Sequence, residues 1–176
     1  MAGSEQKKRI PMTVTFLEMR AKPQGPPPPV PRGKVAILKC DRPPVHFYRY
    51  LYDTIGDAYY WVDRRRMDDA ALAAVVQHPD VELYVLYADG CPAGMAELDF
   101  RDPATGLLAY FGLMPDYIGR RLGYFFLHHA VANAWAKPIS VLLVNTCTLD
   151  HPRALPLYQR IGFAPYSREE RSVELV

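Results

Sequence analysis

Cysteine is scarce in this chain, which carries three widely spaced copies in 176 residues, Cys40, Cys91 and Cys147. An odd number of cysteines without short spacings argues against a disulfide framework and against a cysteine-based zinc site. We therefore expect a protein of a reducing compartment that holds no metal ion.

Long apolar runs and a strong charge of either sign are missing as well. No run approaches the ~18 residues that a membrane-spanning helix needs, and the N-terminus lacks the apolar core of a signal peptide. The net charge is only +2, and no basic run alternates with aromatic residues as in a nucleic-acid groove. These absences predict a cytoplasmic protein that binds neither nucleic acid nor membrane.

The composition that remains is that of a globular protein, with 49% apolar and 23% charged residues. A chain of 176 residues suits one domain, or one domain with a tail. We expect disorder over residues 1–11 and a short strand over 13–19, at the edge of the sheet or outside it. Four consecutive prolines at 26–29 favour a semi-rigid connector, although they could also be a ligand for a proline-recognising module. The predicted organisation is a tail over residues 1–33 and a domain over residues 34–176.

Within that domain, strands alternate with helices. An Asp89-Gly90 pair between apolar runs is a strong hairpin signal, apolar residues at helical spacing follow residues 45 and 68, and a glycine at 162 ends a further helix. The predicted strands cover 34–40, 81–88, 91–100, 107–114 and 139–144, with a last strand or strand pair after 163. This pattern predicts an α/β fold.

The stretch 107–134 organises the rest. Its apolar run 107–114 is typical of a strand buried on both faces, and a helix follows from about Leu122. The turn between them contains Gly119, Arg120 and Arg121. The first-turn amides of a helix have no internal partner and attract anions, so two arginines beside that end favour a bound phosphate. Two solvated surface arginines are the alternative.

Two motifs of the chain resemble signatures of the GNAT superfamily of acetyl-CoA-dependent N-acetyltransferases. The family's phosphate loop, Gln/Arg-x-x-Gly-x-Gly/Ala, falls on Ile118, Gly119, Arg120, Arg121, Leu122 and Gly123, where Ile118 and Arg121 depart from the pattern. Its second signature, Asn-x-x-Ala-x-x-Leu-Tyr followed by Gly-Phe, falls on His151, Ala154, Leu157, Tyr158, Gly162 and Phe163, where only His151 departs. The resemblance covers the chain from about residue 34 to the C-terminus.

The resemblance implies a GNAT fold with a mixed, mostly antiparallel sheet, splayed at its centre by a bulge and flanked by helices on both faces. It implies acetyl-CoA as the cofactor, with backbone groups of Phe111, Gly112 and Leu113 pairing with the pantetheine amides. Sheet edges of this fold often pair into homodimers.

The resemblance also implies roles for side chains. Tyr158 would protonate the departing CoA sulfur, and Glu97 would take the proton of the amine directly or through water. Asp99 lies on the same strand face as Glu97 and could bind an ammonium group, while His151 could donate to a phosphate or pantetheine oxygen. Tyr60 and Trp61, next to Tyr59, would form walls of the acceptor site. In each case a purely structural role is the alternative, because buried tyrosines, paired carboxylates and packed aromatic rings are common.

Three functional hypotheses follow. The first is transfer of an acetyl group from acetyl-CoA to a small-molecule amine, or to a protein amine, by direct attack in a ternary complex. The second is a non-catalytic module of the same fold that binds acyl-CoA and regulates a partner, which the departures at Ile118 and Arg121 leave open. The third makes Cys147 a nucleophile with His151 as its base, although a lone cysteine is more often an inert core residue.

Overall fold

The computed structural model describes residues 8–175, and these form one seven-stranded mixed sheet with four α-helices. The elements in chain order are β1 Arg9–Met19, β2 Val35–Cys40, α1 Val45–Gly56, α2 Asp69–Val76, β3 Val81–Ala88, β4 Cys91–Asp99, β5 Thr105–Leu113, α3 Leu122–Ala134, β6 Val141–Cys147, α4 Ala154–Ile161 and β7 Ala164–Glu174. The strand order is β2-β3-β4-β5-β6-β1-β7. The predicted α/β class is confirmed.

Helices cover both faces of the sheet, as expected. On one face α1 and α2 bury residues such as Tyr48 and Leu72 against Met95 of β4. On the other face α3 and α4 bury Phe126 and Tyr158 against the opposite side of the same strands. The alternation of side chains along β4 explains this division, because successive residues of a strand point to opposite faces.

The sheet splays at its centre, which is also confirmed. Strand β5 pairs with β6 in parallel only from Thr105 to Leu107, whereas all other neighbouring strands are antiparallel. On its other side, β5 has a bulge at Ala109, because Glu97 pairs with Tyr110 and Leu98 with Leu108. The prediction that the whole run 107–114 is buried on both faces is wrong from Ala109 to Leu113, which are half-buried, since β6 diverges from them.

The N-terminal strand lies inside the sheet, neither at its edge nor outside it. Strand β1 pairs with β6 from Val14 to Met19 and with β7 over nearly its full length. Its residues Val14, Leu17 and Met19 are buried. The expected disorder is wrong for residues 9–11, which belong to β1, and residues 1–7 lie outside the part of the chain that the structure describes. A boundary at residue 33 would therefore separate β1 from the sheet that contains it.

Several local signals are confirmed and a few boundaries move. Asp89 and Gly90 have positive φ angles of 52° and 87°, as a tight hairpin requires, and the Asp68 side chain caps α2 by accepting from the Ala71 amide at 2.8 Å. Strand β6 begins at Val141, because a turn at residues 135–136 and an irregular stretch to residue 140 precede it. Helix α4 begins at residue 154 instead of 152, and β7 is one long strand. No helix of residues 8–175 is long and apolar enough to cross a membrane.

Candidate active site

A cleft of about 1580 Å³ opens where β5 and β6 separate. One part, here called the cofactor half, is lined by β5, β6, the start of α3 and the first turns of α4. The other part, here called the acceptor half, is lined by residues 59–64, by Tyr110 and by the proline strap, defined as Pro28–Arg32. The strap belongs to the connection between β1 and β2, where a semi-rigid connector was predicted, and it also forms a wall of this cleft.

The backbone of β5 presents free hydrogen-bonding groups to the cleft. The Met114 amide donates to the Ala93 carbonyl at 2.9 Å. Because antiparallel strands alternate between hydrogen-bonded and non-hydrogen-bonded pairs, Gly112 also faces β4, whereas Phe111 and Leu113 face the gap. Of the three residues expected to pair with pantetheine, Gly112 is therefore the one whose backbone groups are already used by the sheet.

The predicted phosphate loop lies at the start of α3, where no side chain caps the helix. Gly119 and Arg121 both have positive φ angles, 84° and 62°. The backbone thus takes a shape suited to glycine at the position where the family has one, although an arginine costs roughly 1–2 kcal/mol more there. A Cβ added at Gly123 would have its nearest neighbours at 3.8 Å, an ordinary contact distance, so this position has room for the alanine that the family pattern allows. Ile118 is exposed at the rim of the cleft.

Tyr158, the predicted proton donor, lies in the cleft wall. It is 5% exposed and its ring packs edge-on against Phe111 and Phe163. Burial, and then the charge of Asp150, raises the pKa of Tyr158 above the ordinary tyrosine value. The hydroxyl therefore stays protonated at neutral pH, which a proton donor requires.

His151 lies in the cofactor half of the cleft and contacts Tyr59 of the acceptor half. Its Nδ1 accepts a hydrogen bond from the Arg153 amide at 3.1 Å, so it caps the turn before α4. Its ring lies edge-on to Tyr59, with centroids 6.3 Å apart. Because Nδ1 is occupied, Nε2 is the atom left for donation to a ligand.

Glu97 is not brought into the cleft. Its side chain is 0% exposed, and it forms a salt bridge with Arg64 at 2.5 Å and accepts a hydrogen bond from the Tyr48 hydroxyl. Burial of the Arg64 guanidinium acts to lower the pKa of Arg64, but the charge of Glu97 and the other neighbouring groups together outweigh burial, and the pKa of Arg64 is raised. Both carboxylate oxygens are engaged, so the contacts in the structure correspond to the structural alternative and not to a general base.

Asp99 does line the cleft but is paired with Arg101. The two side chains form a bidentate contact with a shortest distance of 2.6 Å. Burial acts to raise the pKa of Asp99, but hydrogen bonds from Arg101 outweigh it, and the pKa lies below its ordinary value. This carboxylate would have to exchange a guanidinium for an ammonium group before it could bind a substrate.

The acceptor half has an aromatic wall, defined here as Tyr52, Tyr59, Tyr60, Trp61 and Tyr110. Tyr59, Tyr60 and Trp61 were predicted, whereas Tyr52, Tyr110 and Arg64 were missed. Tyr52 belongs to the apolar helical face that the sequence shows, and Tyr110 belongs to the apolar strand. Neither pattern indicates which buried tyrosine reaches a cleft.

The structure gives no support to a Cys147–His151 pair. The Cys147 amide donates to Asp150 at 2.9 Å, and His151 Nδ1 is taken by Arg153. Burial, and then the charge of Asp150, raises the pKa of the Cys147 thiol. A raised pKa disfavours the thiolate that a nucleophile needs. Among residues 8–175, no group of three potential ligands could hold a metal ion.

A splayed mixed sheet, with a helix N-terminus at one end of the cleft and a tyrosine in its wall, is the architecture of the acyltransferases to which the two motifs pointed. The chain matches the model of the acetyltransferase (GNAT) family over residues 48–163. It therefore belongs to that family.

Solved structures share the fold. A GCN5-related N-acetyltransferase from Kribbella flavida is 18% identical, with a TM-score of 0.63 over 93% of this chain and 60% of its own. One from Sphaerobacter thermophilus is 16% identical, with a TM-score of 0.61 over 96% and 53%. An IAA acetyltransferase from Bacillus cereus is 23% identical, with a TM-score of 0.57 over 76% and 79%. The chain thus spans between half and two thirds of the length of the first two. No match was found among curated proteins.

Proposed function

We propose that this protein transfers an acetyl group from acetyl-CoA to a primary amine by direct attack in a ternary complex. The observation that carries the proposal is the position of Tyr158, which is buried in the wall of the cleft beside Phe111, where β5 faces a gap in the sheet. A regulatory module that only binds acyl-CoA would need the gap and the helix N-terminus, but it would not need a proton donor there.

The residues present fit acetyl-CoA, which supplies an activated acetyl thioester. Backbone groups of Phe111 and Leu113 face the gap and can pair with two amides as an added strand does. The first-turn amides of α3 can bind phosphate oxygens, and Arg120 and Arg121 add positive charge beside them. Arg120 is already placed over the Tyr117 ring, 4.8 Å from its centroid.

The reaction forms an amide and breaks a thioester. The nitrogen of the neutral acceptor amine attacks the acetyl carbonyl carbon, its N–H proton passes to water, the carbon–sulfur bond breaks, and Tyr158 gives its proton to the sulfur and regains one from water. Amides of β5 facing the gap would stabilise negative charge on the carbonyl oxygen. Holding both reactants in line supplies much of the acceleration. We assign proton removal to water, because both oxygens of Glu97 are engaged.

The test is release of CoA in the presence of a panel of primary amines. Tyr158→Phe should lower kcat by about 100-fold, the lower end of the range for general acid catalysis, and should change acetyl-CoA affinity little. Tyr166→Phe is the matched control, because Tyr166 is 55% exposed on β7. A protein that binds acetyl-CoA but acetylates no amine would be the regulatory module instead.

A further inference from the structure

The charged groups around the acceptor half are largely engaged with one another. Arg64 is paired with Glu97 at 2.5 Å, Arg101 with Asp99 at 2.6 Å and Arg171 with Glu169 at 2.5 Å. Arg32 lies exposed on the strap. An acceptor with several ammonium groups, such as a polyamine, would have to break these pairs to find partners.

Asp63 differs from the other acidic residues of this half. It lines the cleft and is exposed, and its Oδ2 accepts one long hydrogen bond, 3.4 Å, from the Tyr110 hydroxyl. A bond of that length is weak, so the carboxylate retains the capacity to accept further hydrogen bonds. The Asp63 carboxylate can therefore bind one ammonium group, but the described residues of the acceptor half offer no free carboxylates for several.

The remaining surface of the acceptor half is formed largely by aromatic rings that are inclined to one another. Tyr52, Trp61 and Tyr110 contact each other with ring centroids 4.9–5.3 Å apart. Trp61 is also fixed from behind, because a Cβ on Gly56 would lie 2.5 Å from the Trp61 Cβ. These rings are therefore held in place before any ligand binds.

The proline strap contributes further apolar ring surface to the same cleft, through Pro28, Pro29 and Pro31. Proline rings lose little entropy when a ligand packs on them, because their backbone is already restricted. Aromatic rings and proline rings both pack better against a ligand with an apolar ring than against a small, strongly hydrated ligand.

We propose that the acceptor is a primary amine on a planar apolar body, of the arylalkylamine class, with its amino group at Asp63 and Tyr110. This inference rests on the proposed acetyltransferase function and narrows its substrate class. Tyr60, which is 40% exposed and lines the same half, is a specificity-determining residue in this arrangement.

The experiment compares matched amines with acetyl-CoA and the full chain. Tryptamine should have a kcat/KM at least about 10-fold above ethanolamine and spermidine, the discrimination that a modest apolar contact provides. Tryptophan adds only a carboxylate to tryptamine and should be the poorer substrate. Equal or better turnover of ethanolamine, spermidine or tryptophan would overturn the inference while the acetyltransferase function stood.

Variants of Tyr60 and Asp63 test whether the amine binds at this part of the cleft. Tyr60→Ala should raise the KM for tryptamine by about 3- to 10-fold, the cost of losing part of an apolar contact, and should raise the KM for ethanolamine much less. Asp63→Asn should raise the KM for both amines. Tyr50→Ala is the control for Tyr60, because Tyr50 is 50% exposed on α1 outside the cleft. An equal effect of Tyr60→Ala and Tyr50→Ala on tryptamine would contradict the inference.

A binding measurement separates failure of this inference from failure of the proposed function. Calorimetry of tryptamine in the presence of CoA should show saturable binding that Tyr60→Ala weakens. Such binding without acetylation of any amine would support the aromatic site and reject the enzyme. Absence of binding and of turnover would reject both.

Discussion

Arg121 is the residue at which sequence and backbone disagree most clearly. Its φ of 62° lies in the left-handed region, where glycine has no steric cost and other residues do. Its side chain is exposed and lines the cleft beside the start of α3. A strained arginine at an uncapped helix N-terminus is best explained by a charge contact with an anionic ligand.

Arg121→Gly should therefore separate stability from affinity. The variant should melt at the same temperature or slightly higher, because relief of roughly 1–2 kcal/mol of backbone cost is offset in part by the flexibility of glycine in the unfolded chain. Its acetyl-CoA dissociation constant should rise by about 3- to 10-fold through loss of a phosphate contact. Calorimetric titration and a thermal melt measure the two quantities.

Arg42→Gly is the matched control, because Arg42 is an exposed arginine with a φ of 49° outside the cleft. It should show the same small change in melting temperature with no change in acetyl-CoA affinity. If Arg121→Gly bound acetyl-CoA more tightly than the unchanged protein, the side chain would be an obstacle and not a ligand.

Single site residues could be predicted where neighbouring residues of the sequence define them, and could not where their contacts come from distant segments. Tyr158 and His151 were found because their motif is contiguous, and the structure puts both in the cleft wall. Glu97 was misjudged because its partner Arg64 is 33 residues away in sequence. Alternation along β4 correctly indicated which face Glu97 occupies, but the occupants of that face come from other elements.

At the scale of elements, the Arg64–Glu97 pair ties the segment after α1 to the middle of β4. Glu97→Gln would leave the buried guanidinium of Arg64 without a compensating charge, which typically costs about 3–5 kcal/mol. We expect a lower midpoint in urea unfolding, with any loss of activity following the loss of folded protein.

The double variant Arg64→Met with Glu97→Leu provides the comparison for that measurement. It removes both charges together and should be less destabilised than Glu97→Gln, since replacing a buried pair by apolar residues is often neutral. A Glu97→Gln protein of normal stability whose kcat fell by about 100-fold or more would restore Glu97 as the general base.

A second buried carboxylate, Glu82, links other elements and makes stability depend on pH. Lys39 of β2 and Lys137 after α3 both lie 2.9 Å from it, and the Tyr84 hydroxyl also donates at 2.9 Å. Burial alone would raise the pKa of Glu82, but these donors outweigh burial and the pKa is lowered.

A carboxylate with a lowered pKa stabilises the fold above its unfolded pKa, about 4.3 for glutamate, and loses this contribution as pH falls through the folded value. Glu82→Gln should therefore be less stable than the unchanged protein at pH 7, with the difference shrinking in acid below about pH 4. Urea unfolding at several pH values measures this. Glu169→Gln, at an exposed position of β7, should show a much smaller difference at pH 7.

At the scale of the whole molecule, local patterns predicted the α/β fold and the hairpin, while the resemblance to the GNAT superfamily implied the splayed sheet and the helices on both faces. They could not place β1, because a strand's own alternation indicates which face is buried but not which strands are its neighbours. For the same reason the sequence did not indicate that the strap lines the cleft, since a proline run predicts a connector whatever surface it packs against. The place of β1 and the position of the strap both depend on pairing and packing between segments distant in sequence.

The position of β1 predicts what the chain needs in order to fold. A chain starting at residue 34 would lose the strand between β6 and β7, leaving buried partners such as Val144 and Val173 exposed and two strand edges unpaired. We expect it to lack a cooperative thermal transition and to aggregate, whereas a chain starting at residue 8 retains β1 and should melt cooperatively. Circular dichroism and sedimentation measure both. If the chain starting at residue 34 melted within a few degrees of the longer one, β1 would be an accessory strand and the domain would begin near residue 34.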